Sequence, residues 1–123
     1  SLQNYKMGNI DFKNQKCQSC EGLGNAFTQE EALKTLEQLP KWQLSKDSKS
    51  ITRQYVVKNF MTAIGFLNTI AEIAEGDNHH PDLALSGYRN VTITLTTHAL
   101  KGLSINDFIV AAKINELSVE LKH

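Results

Sequence analysis

Charge of a single sign is what this chain most conspicuously lacks. Its 13 Lys and Arg are matched by 13 Asp and Glu, so the basic excess with which a nucleic-acid binder neutralises phosphates is missing. Long apolar runs are also scarce. The strongest one, residues 60–74, is interrupted by Thr62, Asn68, Thr69 and Glu72, which makes it too short and too polar for a bilayer span. Cysteine is confined to Cys17 and Cys20, too few to frame a disulfide scaffold. The pair is half of a zinc-ribbon pattern whose second half is absent, and no strand precedes it as a redox pair would require. The start at Ser1-Leu2 has neither the basic opening nor the apolar core of a signal peptide. A cytoplasmic protein, binding neither membrane nor nucleic acid directly, is the expectation.

What remains is an ordinary globular balance over 123 residues, 41% hydrophobic and 21% charged, enough for one core. Residues 1–26 are polar and carry few apolar anchors, so they read as a poorly ordered N-terminal lead. The domain is expected over residues 27–123. Thr28 and Glu31 have the spacing of a capping box ahead of Ala32, Leu33, Leu36 and Leu39, and Pro40 closes that helix. Residues 42–44 and 51–57 read as two strands around a turn at 46–49. Arg53 falls on the apolar side of the second strand, free either to snorkel outward or to meet a carboxylate.

Asn59 is placed to cap a helix over residues 60–74, whose apolar residues recur at helical spacing, and Gly76 looks like its end. Residues 82–86 and 89–96 follow as strands joined at Gly87, the second alternating Val91, Ile93 and Leu95 with threonines. Ser104 and Asp107 offer another capping arrangement for a last helix. That helix carries two stripes. Ile105, Phe108, Ile109 and Ala112 form one; Val110, Ile114, Leu117 and Leu121 form the other, which calls for a partner, either the rest of the domain or a second subunit. Short connections favour antiparallel pairing, so the predicted fold is α+β: a four-stranded antiparallel sheet with three helices packed on one face.

Four histidines occur. His123 is terminal, but His79, His80 and His98 all stand at ends of elements, where catalytic groups are often displayed. A hairpin at Gly87-Tyr88 would return the chain after Thr96 to the sheet end from which Asp82 departs, bringing His98 towards His79 and His80. Side chains of adjacent strand residues face opposite ways, so the two neighbours can share a pocket only if His79 leaves strand geometry; Pro81 restrains His80 instead. Imidazoles titrate near ~6.5 and suit proton transfer at neutral pH. Three histidines are also a known zinc set, although no pair at helical spacing is present. Solvated loop histidines are the plainest alternative. Glu75 is near enough to the loop to orient one of them.

Taken as one string, Glu75-x3-His79-His80-Pro81-x6-Tyr88-x9-His98-x8-Asp107 resembles the pterin-4a-carbinolamine dehydratase family. Trp42, Arg53, Tyr55, Phe60, Ala63, Phe66 and the Thr97-His98 and Gly102-Leu103 pairs agree with it, over roughly residues 28–117. The resemblance implies dehydration of 4a-hydroxytetrahydrobiopterin, or a related pterin, to the quinonoid dihydropterin, in the recycling of tetrahydrobiopterin. It implies His79 and His98 as the acid–base pair, with His80 binding and orienting substrate and sharing in proton transfer. Asn78 and the run Thr96, Thr97, His98 and Ala99 would help form the pterin pocket, and Glu75 and Asp107 would support it. No cofactor and no metal are implied, and a homodimer or homotetramer is. Animal members also act as dimerisation cofactors of a transcription factor, so a non-catalytic interaction protein or a pterin-binding regulator is the rival reading. Leu83 departs from the family, standing where many members carry an aromatic.

Overall fold

In the computed structural model, which describes residues 11–123, three α-helices and four strands follow one another as α1 (Gln29–Leu36), β1 (Gln43–Leu44), β2 (Ile51–Val56), α2 (Phe60–Asp77), β3 (Asp82–Ser86), β4 (Asn90–Leu95) and α3 (Ile105–Asn115). The strands form one antiparallel sheet in the order β1-β2-β4-β3. This is the predicted α+β fold.

Local chemistry explains each start. Thr28 accepts the Glu31 N–H at 3.1 Å while Glu31 accepts the Thr28 N–H at 2.9 Å, a closed capping box. Asn59 caps α2 through the Thr62 N–H at 2.8 Å. Ser104 and Asp107 make a second capping box at the head of α3. The hairpin between β3 and β4 turns through Gly87 and Tyr88, both at positive φ (54° and 56°). A Cβ on Gly87 would come within 2.7 Å of the Asn90 side chain, so both backbone and space call for glycine there.

Register decides what the sheet buries. Ile51 pairs with Leu95, Arg53 with Ile93 and Tyr55 with Val91. These residues face the helices, and Ile51, Val91, Ile93 and Leu95 are fully buried. Thr52, Gln54, Thr92 and Thr94 take the other face. Arg53 neither snorkels outward nor meets a carboxylate. Its guanidinium lies 4.0 Å from the centre of the Tyr55 ring and donates to the Asn115 side-chain oxygen, which also accepts the Trp42 indole N–H at 2.7 Å.

Three expectations change. α2 does not stop at Gly76 but runs to Asp77, and Asn78 takes the left-handed conformation (φ 51°) that ends it. A helical glycine costs about 1 kcal/mol relative to alanine, which the packed apolar face of α2 outweighs. The second stripe of α3 needs no other subunit: Val110 and Ile114 are fully buried within the chain, and Leu117 packs on the same core. Only Leu121 is left well exposed, opposite Val57 in a one-residue bridge. The third change concerns the lead. Residues 1–10 lie outside the described residues, but residues 11–26 run along the helices. Phe12 is buried 6.2 Å from Phe108, and Phe27 stacks on the same ring at 4.8 Å. One aromatic anchor and the helix-end polar groups described below are what composition alone missed. Among the described residues no helix is long and apolar enough to cross a membrane.

Candidate active site

The C-terminal turn of α2 aims the first histidine. With Asn78 left-handed, its N–H reaches the Glu75 carbonyl (3.3 Å) and the His79 N–H reaches back to the Ala74 carbonyl (3.1 Å). This is the paired closure of a Schellman motif. It takes His79 out of strand geometry, so His79 and His80 part company. The His79 ring is largely covered and its Nε2 lies 2.7 Å from Asp107 Oδ1. His80 stays half-exposed and its Nε2 pairs with Glu75 Oε2, on the last turn of α2.

Asp107 is completely buried and its second oxygen is equally committed. Oδ2 accepts the Thr97 hydroxyl at 2.8 Å and the Ser104 N–H at 2.9 Å. The Thr97 and Ser104 hydroxyls are 2.7 Å apart; since Thr97 donates to Asp107, Ser104 supplies the proton between them. A carboxylate is an acceptor only, so the His79 Nε2 facing it carries a proton and the neutral ring presents Nδ1 as its acceptor. Buried, three-fold hydrogen-bonded through its carboxylate and fixed at a helix start, Asp107 holds the ring in one tautomer and one orientation.

The loop after β4 brings the third histidine to the same end of the sheet. Thr97 and Gly102 bridge each other, and a 3-10 turn over His98–Leu100, closed by Lys101 at φ 53°, fills the space between. Alternation then sends Thr97 inward to Asp107 and leaves His98 and Ala99 exposed. The hairpin thus places the residue before His98 and the His79 ring on a single carboxylate. Asn78 is also exposed. Thr96 differs from the rest of the expected set, because its hydroxyl is committed to the Lys49 carbonyl at 2.5 Å, towards the β1–β2 turn.

Among the described residues no group of three or more His, Cys, Asp or Glu side chains is gathered as a metal-ligand set. Two partners behind the site were not anticipated. Asp77 accepts from Lys113 Nζ at 2.5 Å, and Asn106, next to Asp107, is buried with its amide turned towards the lead. An aspartate at the end of one helix and an asparagine in the first turn of another carry no sequence signal of their own.

Comparison with known proteins gives concordant results. The family model described as pterin 4 alpha carbinolamine dehydratase matches residues 25–117. A Legionella pneumophila (strain Corby) protein provisionally named pterin-4-alpha-carbinolamine dehydratase is 45% identical over 111 residues, 89% of this chain and 97% of that one. The Arabidopsis thaliana protein named pterin-4-alpha-carbinolamine dehydratase 2, mitochondrial, is 42% identical over 89% of this chain and 60% of its own length. A solved structure described as a transcriptional coactivator/pterin dehydratase from Brucella melitensis superposes with a TM-score of 0.69 at 36% identity, covering 74% of this chain and 96% of the other.

Proposed function

The chain belongs to the pterin-4a-carbinolamine dehydratase family, and on that premise we propose that it dehydrates a 4a-hydroxytetrahydropterin by histidine acid–base catalysis, in the recycling of tetrahydrobiopterin. The observation that carries the mechanism is the hydrogen-bonded line from Ser104 through Thr97 and Asp107 to His79. In the reaction the C4a–O bond breaks, the hydroxyl leaves as water with a proton from an acid, and N5 gives up its proton as the C4a=N5 bond forms. His79, with Nδ1 as the free acceptor, takes the N5 proton, and the Asp107 carboxylate balances the imidazolium that results. His98, exposed across the same sheet end, supplies the proton to the departing hydroxyl. His80, steadied by Glu75, binds and orients the pterin, with Asn78, Thr97 and Ala99 around it. Each positioned acid or base contributes roughly 10² to 10⁴ in rate. Leu83, 38% exposed on β3, offers the ring an aliphatic wall.

Stopped-flow absorbance on freshly generated 4a-hydroxytetrahydropterin tests this. Wild type is expected to exceed spontaneous dehydration, and His79→Ala and His98→Ala to lose most of the excess. Wild-type turnover at the spontaneous rate would overturn the reading.

A second role, assembly with another copy or another protein, is favoured by one observation. Val56, Phe60, Met61 and Leu121 remain exposed, and all lie around the segment where the C-terminal tail pairs beside Val56 and Val57. A homodimer or homotetramer is the simplest occupant of that surface.

A further inference from the structure

The ends of α2 and α3 that carry His79 and Asp107 are joined by a third piece of chain. Residues Cys17 and Gln18 of the lead cross between them. The Cys17 N–H donates to Asp77 Oδ1 at 3.1 Å, on the last residue of α2. The Gln18 N–H donates to Asn106 Oδ1 at 2.8 Å, and the Gln18 carbonyl accepts from Asn106 Nδ2 at 2.8 Å. The Cys17 thiol adds a contact of 3.6 Å to the Asn106 carbonyl. Asp77 is two residues before His79 and Asn106 is one before Asp107. The strap is thus fastened to each helix beside the residue that makes the 2.7 Å His79–Asp107 bond.

Packing alone does not account for this choice of partners. Asp77 and Asn106 are both buried, and among the described residues neither side chain is hydrogen-bonded to His79 or to the Asp107 carboxylate. Their polar atoms are spent on the strap and, for Asp77, on Lys113 of α3. A paired backbone N–H and C=O on one asparagine amide resembles a rung of sheet and fixes both distance and direction. We propose that Asp77 and Asn106, bridged by the backbone of Cys17–Gln18, are positioning residues: the strap sets the spacing of the two helix ends and so holds His79 against Asp107. The inference rests on the dehydratase reading for its effect on turnover, and on geometry alone for its effect on the His79 ring.

The experiment compares the full-length protein with Gln18→Ala, Gln18→Pro, Asn106→Ala and a core control, Leu39→Ala. Gln18→Ala keeps the backbone bonds, Gln18→Pro deletes one donor, and Asn106→Ala deletes both bonds to Gln18. Two quantities are read: the kcat and KM for the hydroxypterin, and the downfield proton NMR signal of the His79 ring N–H bonded to Asp107. Asn106→Ala and Gln18→Pro are expected to lower kcat about tenfold with KM within about twofold, as a misplaced catalytic group does, and to weaken or erase the ring signal. Gln18→Ala and Leu39→Ala keep the signal, which separates positioning from general loss of stability. An unchanged kcat and ring signal in Asn106→Ala would overturn the proposal. Absent wild-type turnover would fail the dehydratase reading alone, since the ring signal would still report whether the strap holds His79.

Discussion

Asp107 Oδ1 stands 2.7 Å from His79 Nε2 while Oδ2 of the same carboxylate takes the Thr97 hydroxyl at 2.8 Å. One buried side chain therefore joins the histidine at the end of α2 to the strand that leads into His98.

Replacing Asp107 with Asn tests that junction without changing its shape. The retained oxygen is needed for Thr97 and Ser104, so the new NH₂ faces His79 Nε2, donor against donor. The ring escapes by moving its proton to Nδ1, the wrong atom for accepting one from substrate. We expect kcat to fall about 10³-fold, within the range of a lost acid–base group, and stability to fall by about 1–3 kcal/mol as the buried network is disturbed. Stopped-flow turnover and urea melts read the two effects separately; an Asp107→Asn protein with wild-type kcat would remove the tautomer argument.

Glu75 and His80 call for a smaller outcome. Their hydrogen-bonded contact is solvent-exposed, at 75% and 55% of side-chain surface, and such surface pairs contribute about 0–1 kcal/mol. Glu75→Gln should leave the urea midpoint nearly unchanged and raise KM a few-fold, with kcat kept. A fall in kcat as large as that of Asp107→Asn would move His80 from orientation to chemistry.

Cys17 predicts a pH dependence. Burial, with the Asp77 charge adding, pushes its thiol from 9.0 up to about 12. Below pH 9 both folded and unfolded chains keep the proton, and stability is undiminished. Above it the unfolded chain loses a proton that the folded chain retains, so stability declines as pH rises towards 12. Wild type should lose urea resistance between about pH 9 and 12 more steeply than Cys17→Ala. Parallel curves for the two proteins would contradict it. The same raised value leaves little thiolate at neutral pH, so alkylation at Cys17 should be slow until the chain unfolds.

Met61 is 73% exposed in the first turn of α2, so Met61→Glu places a charge on the apolar surface with little packing to disturb. If copies of the chain meet there, light scattering should show a lower mass for the variant. An unchanged mass would take that surface out of consideration.

Much of this was legible in the residues themselves. The Thr28–Glu31 and Ser104–Asp107 boxes are local chemistry and form as spelled. The alternation of Val91, Ile93 and Leu95 with threonines decides the buried face of β4. Where reading failed, the deciding partner was distant in the chain. Gly76 looked like a stop because its tolerance depends on what the rest of α2 packs against. The Val110–Ile114 stripe looked unpartnered because helix periodicity says nothing about which parts of the same chain fold over it. The histidines were visible as a set, but their separation into a largely covered His79 and an exposed His80 hangs on the left-handed Asn78, a conformation that no spacing rule selects. Asp77 and Asn106 were invisible because their partners are backbone atoms some 60 and 88 residues away.

Asp107 also begins a helix. As the third residue of α3 it closes the capping box on the Ser104 N–H with the oxygen that receives Thr97. On the proposed mechanism, folding and turnover therefore depend on the two oxygens of one carboxylate. A descendant of this chain that abandoned catalysis for some other employment would still need an acid there to start α3, whereas His79 caps no helix and answers only to the Oδ1 that it covers. In a silent relative, then, the surviving aspartate would testify to ancestry, and the imidazole would be the first part of the apparatus to go.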